Sequence, residues 1–204
     1  MRDEPRSGCP INGSVEALGD RWSLIVLRDV IFGGRRHFRD LLANSMEGIA
    51  SNILSSRLKA LVAKGLLTHQ EAARGRRGTY SLTEAGIQTV PIMVALGSWG
   101  LRHLPATPEL AVRARLLEEG GPPLWEDLMD ELREAHLGIP RPDPTRPRAS
   151  QLLQEAYERV VAEGQPDPPA QRRGRGSLKG LIDIADDGDV EAGEDLARNF
   201  GLRR

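Results

Sequence analysis

The 204-residue chain is 39% hydrophobic, enough for one sizeable core, and carries a formal net charge of −1 with a single cysteine. One cysteine excludes an intramolecular disulfide and a zinc–cysteine cluster, and fits a reducing compartment. Near-neutrality would argue against a nucleic-acid partner if charge were evenly spread, but residues 1–105 hold 14 basic and 9 acidic side chains and the remainder 14 basic and 20 acidic.

The first helix is expected over about residues 14–32. Val15, Leu18, Trp22, Val26 and Val30, joined by Leu24, Leu27 and Ile31, leave it apolar on nearly every side, so it is central core or shared with a partner. Trp22 reads as core rather than as part of a ligand site. A short helix over about residues 37–43 follows, burying Phe38, Leu41 and Leu42, and residues 44–50 break it. Ser51 suits the N-cap of the next helix, whose buried stripe is Leu54, Leu58, Leu61 and Val62. The opposite face is Ser51, Asn52, Ser55, Ser56 and Lys59. Small hydroxyls and an amide read base edges in a major groove, and lysine neutralises phosphate.

A hairpin is expected next, with strands around an RGRRG turn in which Gly75 and Gly78 supply backbone freedom. Arg74, Arg76 and Arg77 then sit at an exposed tip, where guanidiniums suit phosphates or a minor groove. Arg36, His37 and Arg39, before and within the short helix, are weaker candidates for phosphate contact. From residue 50 to residue 80 six lysines and arginines face a single acid, Glu71. Helix, turn, helix and basic hairpin make a winged helix-turn-helix, so the fold class is mainly α with a small β-hairpin wing and a C-terminal helical extension.

Thr83 should cap the helix after the wing, which carries Ile87, Val90, Val94, Trp99 and Leu101 and is expected to kink at Pro91. With Ile92, Met93, Leu96 and Leu104 little polar face remains. A monomer could hardly cover it, so this helix and the first are expected to form the two-fold interface of a homodimer, setting two recognition helices about 34 to 36 Å apart.

Beyond Pro105 the sequence changes character. Thr107, Pro108 and Glu109 start a short helix ended by Gly120 and Gly121, and a second helix carries Leu124, Trp125, Leu128, Leu132 and Ala135 on one face. Three roles stay open for the first of these: dimer support, the wall of an effector pocket, or scaffold. A proline-rich spacer, IPRPDPTRPR, leads to an amphipathic helix with Leu152, Leu153, Ala156, Tyr157, Val160 and Val161. The expected organisation is a DNA-binding and dimerisation domain over residues 1–105, a helical extension over 106–138, and a linker, helix and charged tail over 139–204. Beyond Gln165 the composition predicts disorder or weak docking. Arg172, Arg173 and Arg175 there would add nonspecific DNA affinity or pair with the nearby acidic run. Residues 183–194 follow a calcium-loop spacing, but Ala185 occupies a ligand position, which favours a solvated acidic tail.

An enzyme has little support. The four histidines are scattered, and no phosphate-cradling glycine loop or nucleophile elbow occurs, so no catalytic residue, metal or cofactor is expected. Arg28 and Asp29 interrupt the first apolar helix, and no signal peptide is visible, so a soluble, cytoplasmic protein with no membrane partner is expected.

In combination the runs CPINGSVEALGDRWSLIVLRDVIFGGRRHFRDLL, GIASNILSSRLKALVAKGLL and YSLTEAGIQTVPIMVALGSWG resemble the HxlR family of bacterial transcription regulators. The resemblance covers roughly residues 9–104. It implies a homodimer that binds a pseudo-palindromic operator in double-stranded DNA and represses or activates a neighbouring gene, with repression favoured. Some members of that family sense oxidants or electrophiles through an N-terminal cysteine, which implies a redox-sensing role for Cys9 through a disulfide between subunits or with a small thiol. Arg6 and a nearby helix start are features of reactive thiols. The alternative, a small apolar residue packed under the first helix, stays open. A small-molecule effector is a further open alternative, and so is a winged helix used for protein contacts without sequence-specific DNA binding.

Overall fold

Aspartate 20 decides how the chain begins. In the computed structural model, which describes residues 7–71 and 77–164, the Trp22 and Ser23 amides donate to the Asp20 carboxylate at 3.1 and 3.0 Å. That N-cap breaks the expected single helix into α1 (Pro10–Leu18) and α2 (Arg21–Ile31). The apolar pattern runs unbroken across the junction, but a capping carboxylate that satisfies two orphan amides outweighs it.

The helix-turn-helix follows as α3 (Phe38–Ala43) and α4 (Ser51–Ala63). Ala50 is the N-cap of α4 and Ser51 its first residue, with no side chain capping, so the expected serine cap is corrected by one position. Leu54, Leu58 and Leu61 are fully buried on one side of α4, at roughly 1.5 to 3 kcal/mol of burial each. They meet Val26, Leu27 and Val30 of α2 and Leu41 of α3 in a single core.

The wing is an antiparallel pair, β1 (Leu67–Gln70) and β2 (Thr79–Leu82), in register Leu67 to Leu82 and His69 to Tyr80. The His69 and Tyr80 rings stack with centroids 4.4 Å apart. Thr83 caps α5 (Glu84–Ile87) by accepting from the Gly86 amide at 3.1 Å. Gly86 is required by close approach, since a Cβ there would stand 2.2 Å from the Leu66 carbonyl oxygen. Helix α6 (Val90–His103) begins one residue before Pro91. The proline therefore opens a helix, where its missing N–H is harmless, and does not kink one.

The extension is α7 (Pro108–Leu137) and α8 (Ala149–Gly164). Gly121, at φ +59° and ψ −159°, is the one non-helical residue within α7, and Pro122 and Pro123 restart the helix behind it. The two helices expected on either side of Gly120 and Gly121 are thus joined by a single glycine hinge. α7 packs on α6, on β2 and on α8. Glu131, buried on α7, accepts the Ala149 amide and the Ser150 amide and hydroxyl, so a carboxylate from α7 caps the start of α8. No helix among the described residues is long and apolar enough to cross a membrane. The readings on Arg172, Arg173, Arg175 and residues 183–194 lie outside the described residues.

Candidate nucleic-acid interface

The outward side of α4 follows from its inward one. With Leu54, Leu58 and Leu61 fixed in the core, helical geometry turns Ser51, Asn52, Ser56 and Lys59 to the surface, all exposed, with Ser55 half-buried beside them. None of these five side chains has a hydrogen-bond or ionic partner among the described residues, so their donors and acceptors remain available. The face carries no acid.

Ion pairs hold this face in place. Arg28 of α2 reaches the turn before α4 with a two-pronged contact to Glu47, and it also bonds Asp29 through Nε and Nη2 at 2.9 and 2.7 Å. The Arg28 hydrogen bond keeps the Glu47 carboxyl below its ordinary range. Arg57, on the flank of α4, lies 3.4 Å from the Asp20 cap of α2. Lys64, just past α4, donates to the Glu16 and Ala17 carbonyls at 2.6 and 2.8 Å, closing the C-terminus of α1. Orientation of α4 is therefore set at both ends by charge-assisted contacts.

The remaining expected residues divide. Arg77 is exposed at the wing, 3.7 Å from Asp40, while Arg74 and Arg76 lie outside the described residues. Arg39 is exposed and unpaired among the described residues. Arg36 is committed internally: it donates to the Tyr80 carbonyl at 3.3 Å, to the Ala135 carbonyl at 2.9 Å, and to the Ser81 hydroxyl. His37 donates from Nδ1 to the Gly78 carbonyl at 3.0 Å. Both tie the hairpin to the body of the protein. Cys9 is exposed at the N-cap of α1, not packed beneath a helix.

A second anchor of the wing was not visible in the sequence. His136, near the end of α7, accepts the Leu82 amide on Nδ1 at 3.1 Å. Burial, reinforced by the neighbouring Arg36 charge, pushes its imidazole down to about 4, so it stays neutral and able to accept. Arg36, in the segment before α3, and His136, on α7, together hold β2. Their separation in the chain from the strand they hold, 45 and 54 residues for the Ser81 and Leu82 contacts, is why no local pattern announces them. Among the described residues no group of three or more His, Cys, Asp and Glu converges as a metal site would.

A helix-turn-helix whose second helix carries an exposed polar face, followed by a clamped two-stranded hairpin, defines a winged helix-turn-helix. The chain belongs to the HxlR-like helix-turn-helix family, whose profile matches residues 17–108. Over 99 residues it is 39% identical to Rv3095 of Mycobacterium tuberculosis, named an uncharacterized HTH-type transcriptional regulator; the match covers 48% of this chain and 61% of that protein. A second regulator so named, sll1512 of Synechocystis sp., is 32% identical over 93 residues, covering 45% of this chain and 67% of the relative. The chain thus spans about three fifths of the length of the mycobacterial relative. The solved structure of PA1607, described as a candidate transcription factor, has a TM-score of 0.46 at 32% identity, covering 50% of this chain and 70% of that one. The family match ends at residue 108, where α7 begins.

Proposed function

We propose that the protein is a cytoplasmic transcription regulator, a repressor of a neighbouring gene, that grips a pseudo-palindromic operator as a homodimer. The observation that carries this reading is the α4 face. Ser51, Asn52, Ser55, Ser56 and Lys59 have no partner among the described residues, and a helix with such a face fits a major groove while Arg77 and Arg39, with Arg74 and Arg76 of the sequence between the two strands, meet phosphates. Arg36 and His37 serve that contact indirectly, by holding the hairpin.

The dimer reading rests on exposed apolar side chains of two helices. Ile11 and Val15 of α1 are 75% and 60% exposed, and Ile92 and Leu96 of α6 join them along one groove of about 430 Å³. A second copy of the same face would cover it, with isologous contacts about a two-fold axis. Cys9 lies directly before Pro10, which lines that groove, so two copies would carry two exposed thiols near the shared face. Their oxidation to a disulfide would release two protons and two electrons to an oxidant and alter the dimer. The organisation we propose is a DNA-binding and dimerisation domain up to residue 105, with α7 and α8 as an extension that braces the wing.

Selection of bound duplexes from sheared genomic DNA by the purified protein tests the reading, repeated after oxidant treatment with wild type and Cys9→Ser. One enriched inverted repeat is expected, with an oxidant effect absent from Cys9→Ser. No enrichment at low salt would overturn it and turn the winged helix into a protein-contact module.

A further inference from the structure

Between α6 and α7 lies a cavity of about 480 Å³. Trp99 of α6 and Trp125 of α7 both line it, and the His103 ring sits 4.9 Å from that of Trp99. The lining is mostly apolar, but its few polar groups are unequal in sign. Ser98 is only 5% exposed and lines the cavity. Arg102 donates through Nε to the Ser98 carbonyl at 3.1 Å and through Nη2 to Glu118 at 2.6 Å, leaving Nη1 uncommitted among the described residues. Glu118, the one acid among the described residues of the lining, is paired with Arg102. The Trp125 N–H is already spent on the Leu117 carbonyl.

We propose that this cavity binds a planar aromatic acid of one or two rings, its ring against Trp99 and Trp125 and its carboxylate on Arg102 and Ser98. The Ser98 hydroxyl in the lining is a donor that suits an anionic acceptor. Guanidinium and carboxylate match in two-pronged geometry, and the incoming acid replaces Glu118 on Arg102. An organic cation is opposed by Arg102, and two indoles favour a flat ring over a flexible chain. From this cavity α7 runs to Ala135 and His136, which hold Arg36 and β2, so an occupant at one end of the helix bears on the wing at the other. That regulatory consequence rests on the DNA-binding reading, whereas binding of the acid does not.

Two of the three tryptophans line the cavity, so indole emission of the full-length protein reports its occupancy. Titration with benzoate, salicylate and 1-naphthoate is expected to give saturable quenching, with the neutral analogues benzamide and 1-naphthalenemethanol weaker by about tenfold. Arg102→Gln should weaken the acids about tenfold, and Glu118→Gln, which removes their competitor, should tighten them. A pair that only supports the fold would weaken binding in both variants. No saturation in the millimolar range, equal binding of the neutral analogues, or shifts of the same direction in both variants overturns the proposal. Quenching without any change in the protein's duplex affinity keeps the site and removes its regulatory role; absence of duplex binding with quenching intact faults the DNA reading alone.

Discussion

Acidification should loosen the wing before it unfolds the rest of the protein, and His136 sets the window. The imidazole accepts the Leu82 amide only when neutral, and its value in the fold is about 4 against 6.5 for an ordinary histidine. A base depressed in this way contributes stability that is complete above the unfolded value and is lost as pH falls from 6.5 toward 4. Between about pH 7.5 and about pH 5 the linkage amounts to ~2 kcal/mol at full strength. His136 is only half-buried, and solvent screening reduces the expected loss to ~1 kcal/mol. His136→Gln keeps a side-chain acceptor but cannot titrate. Urea denaturation followed by far-UV circular dichroism at the two pH values should show wild type losing about 1 kcal/mol more than His136→Gln. Equal losses in the two proteins would refute a neutral histidine as the anchor of β2.

Leu58→Ala removes a side chain with no exposure from the inner side of α4 and should cost about 2 to 5 kcal/mol in urea denaturation; a loss below about 1 kcal/mol would mean that α4 is not seated as described. Glu131→Gln removes the charge that caps α8, so amide exchange at residues 149–153 should accelerate while exchange in α4 is unchanged; equal protection in both proteins would contradict the cap. Lys59→Ala should flatten the log–log dependence of operator affinity on salt by about 0.9 per half-site, and an unchanged slope would remove Lys59 from phosphate contact. Asn52→Ala should cost about 1 to 3 kcal/mol and relax base preference at a single position.

What the sequence disclosed was the information carried by local spacing. The Leu54, Leu58 and Leu61 repeat located the inner side of α4, and hence its polar outer face, because a helix commits its two sides together. Thr83 revealed its cap and Gly120–Gly121 the interruption of α7, each through residues adjacent in the chain. The split between α1 and α2 was also locally encoded, by Asp20 ahead of Trp22 and Ser23, but the continuous apolar pattern masked it. Pro91 misled for a related reason, since a proline kinks a helix only when the helix already extends before it. The clamp of Arg36 and His136 on β2, the capping of α8 by Glu131 and the cavity between Trp99 and Trp125 depend on contacts between distant segments. Packing of α7 against α8 buries Glu131.

The central claim is that the exposed face of α4 lies in the major groove of a duplex in two copies. Methylation interference at guanine N7, an atom of the major-groove edge, tests it on a duplex recovered by selection. The account predicts that methylation blocks binding in two symmetric patches centred about one helical turn, ~34 Å, apart, and that Asn52→Ala removes interference within each patch. Binding indifferent to N7 methylation throughout the duplex, or a single unsymmetric patch that Asn52→Ala leaves intact, would contradict it.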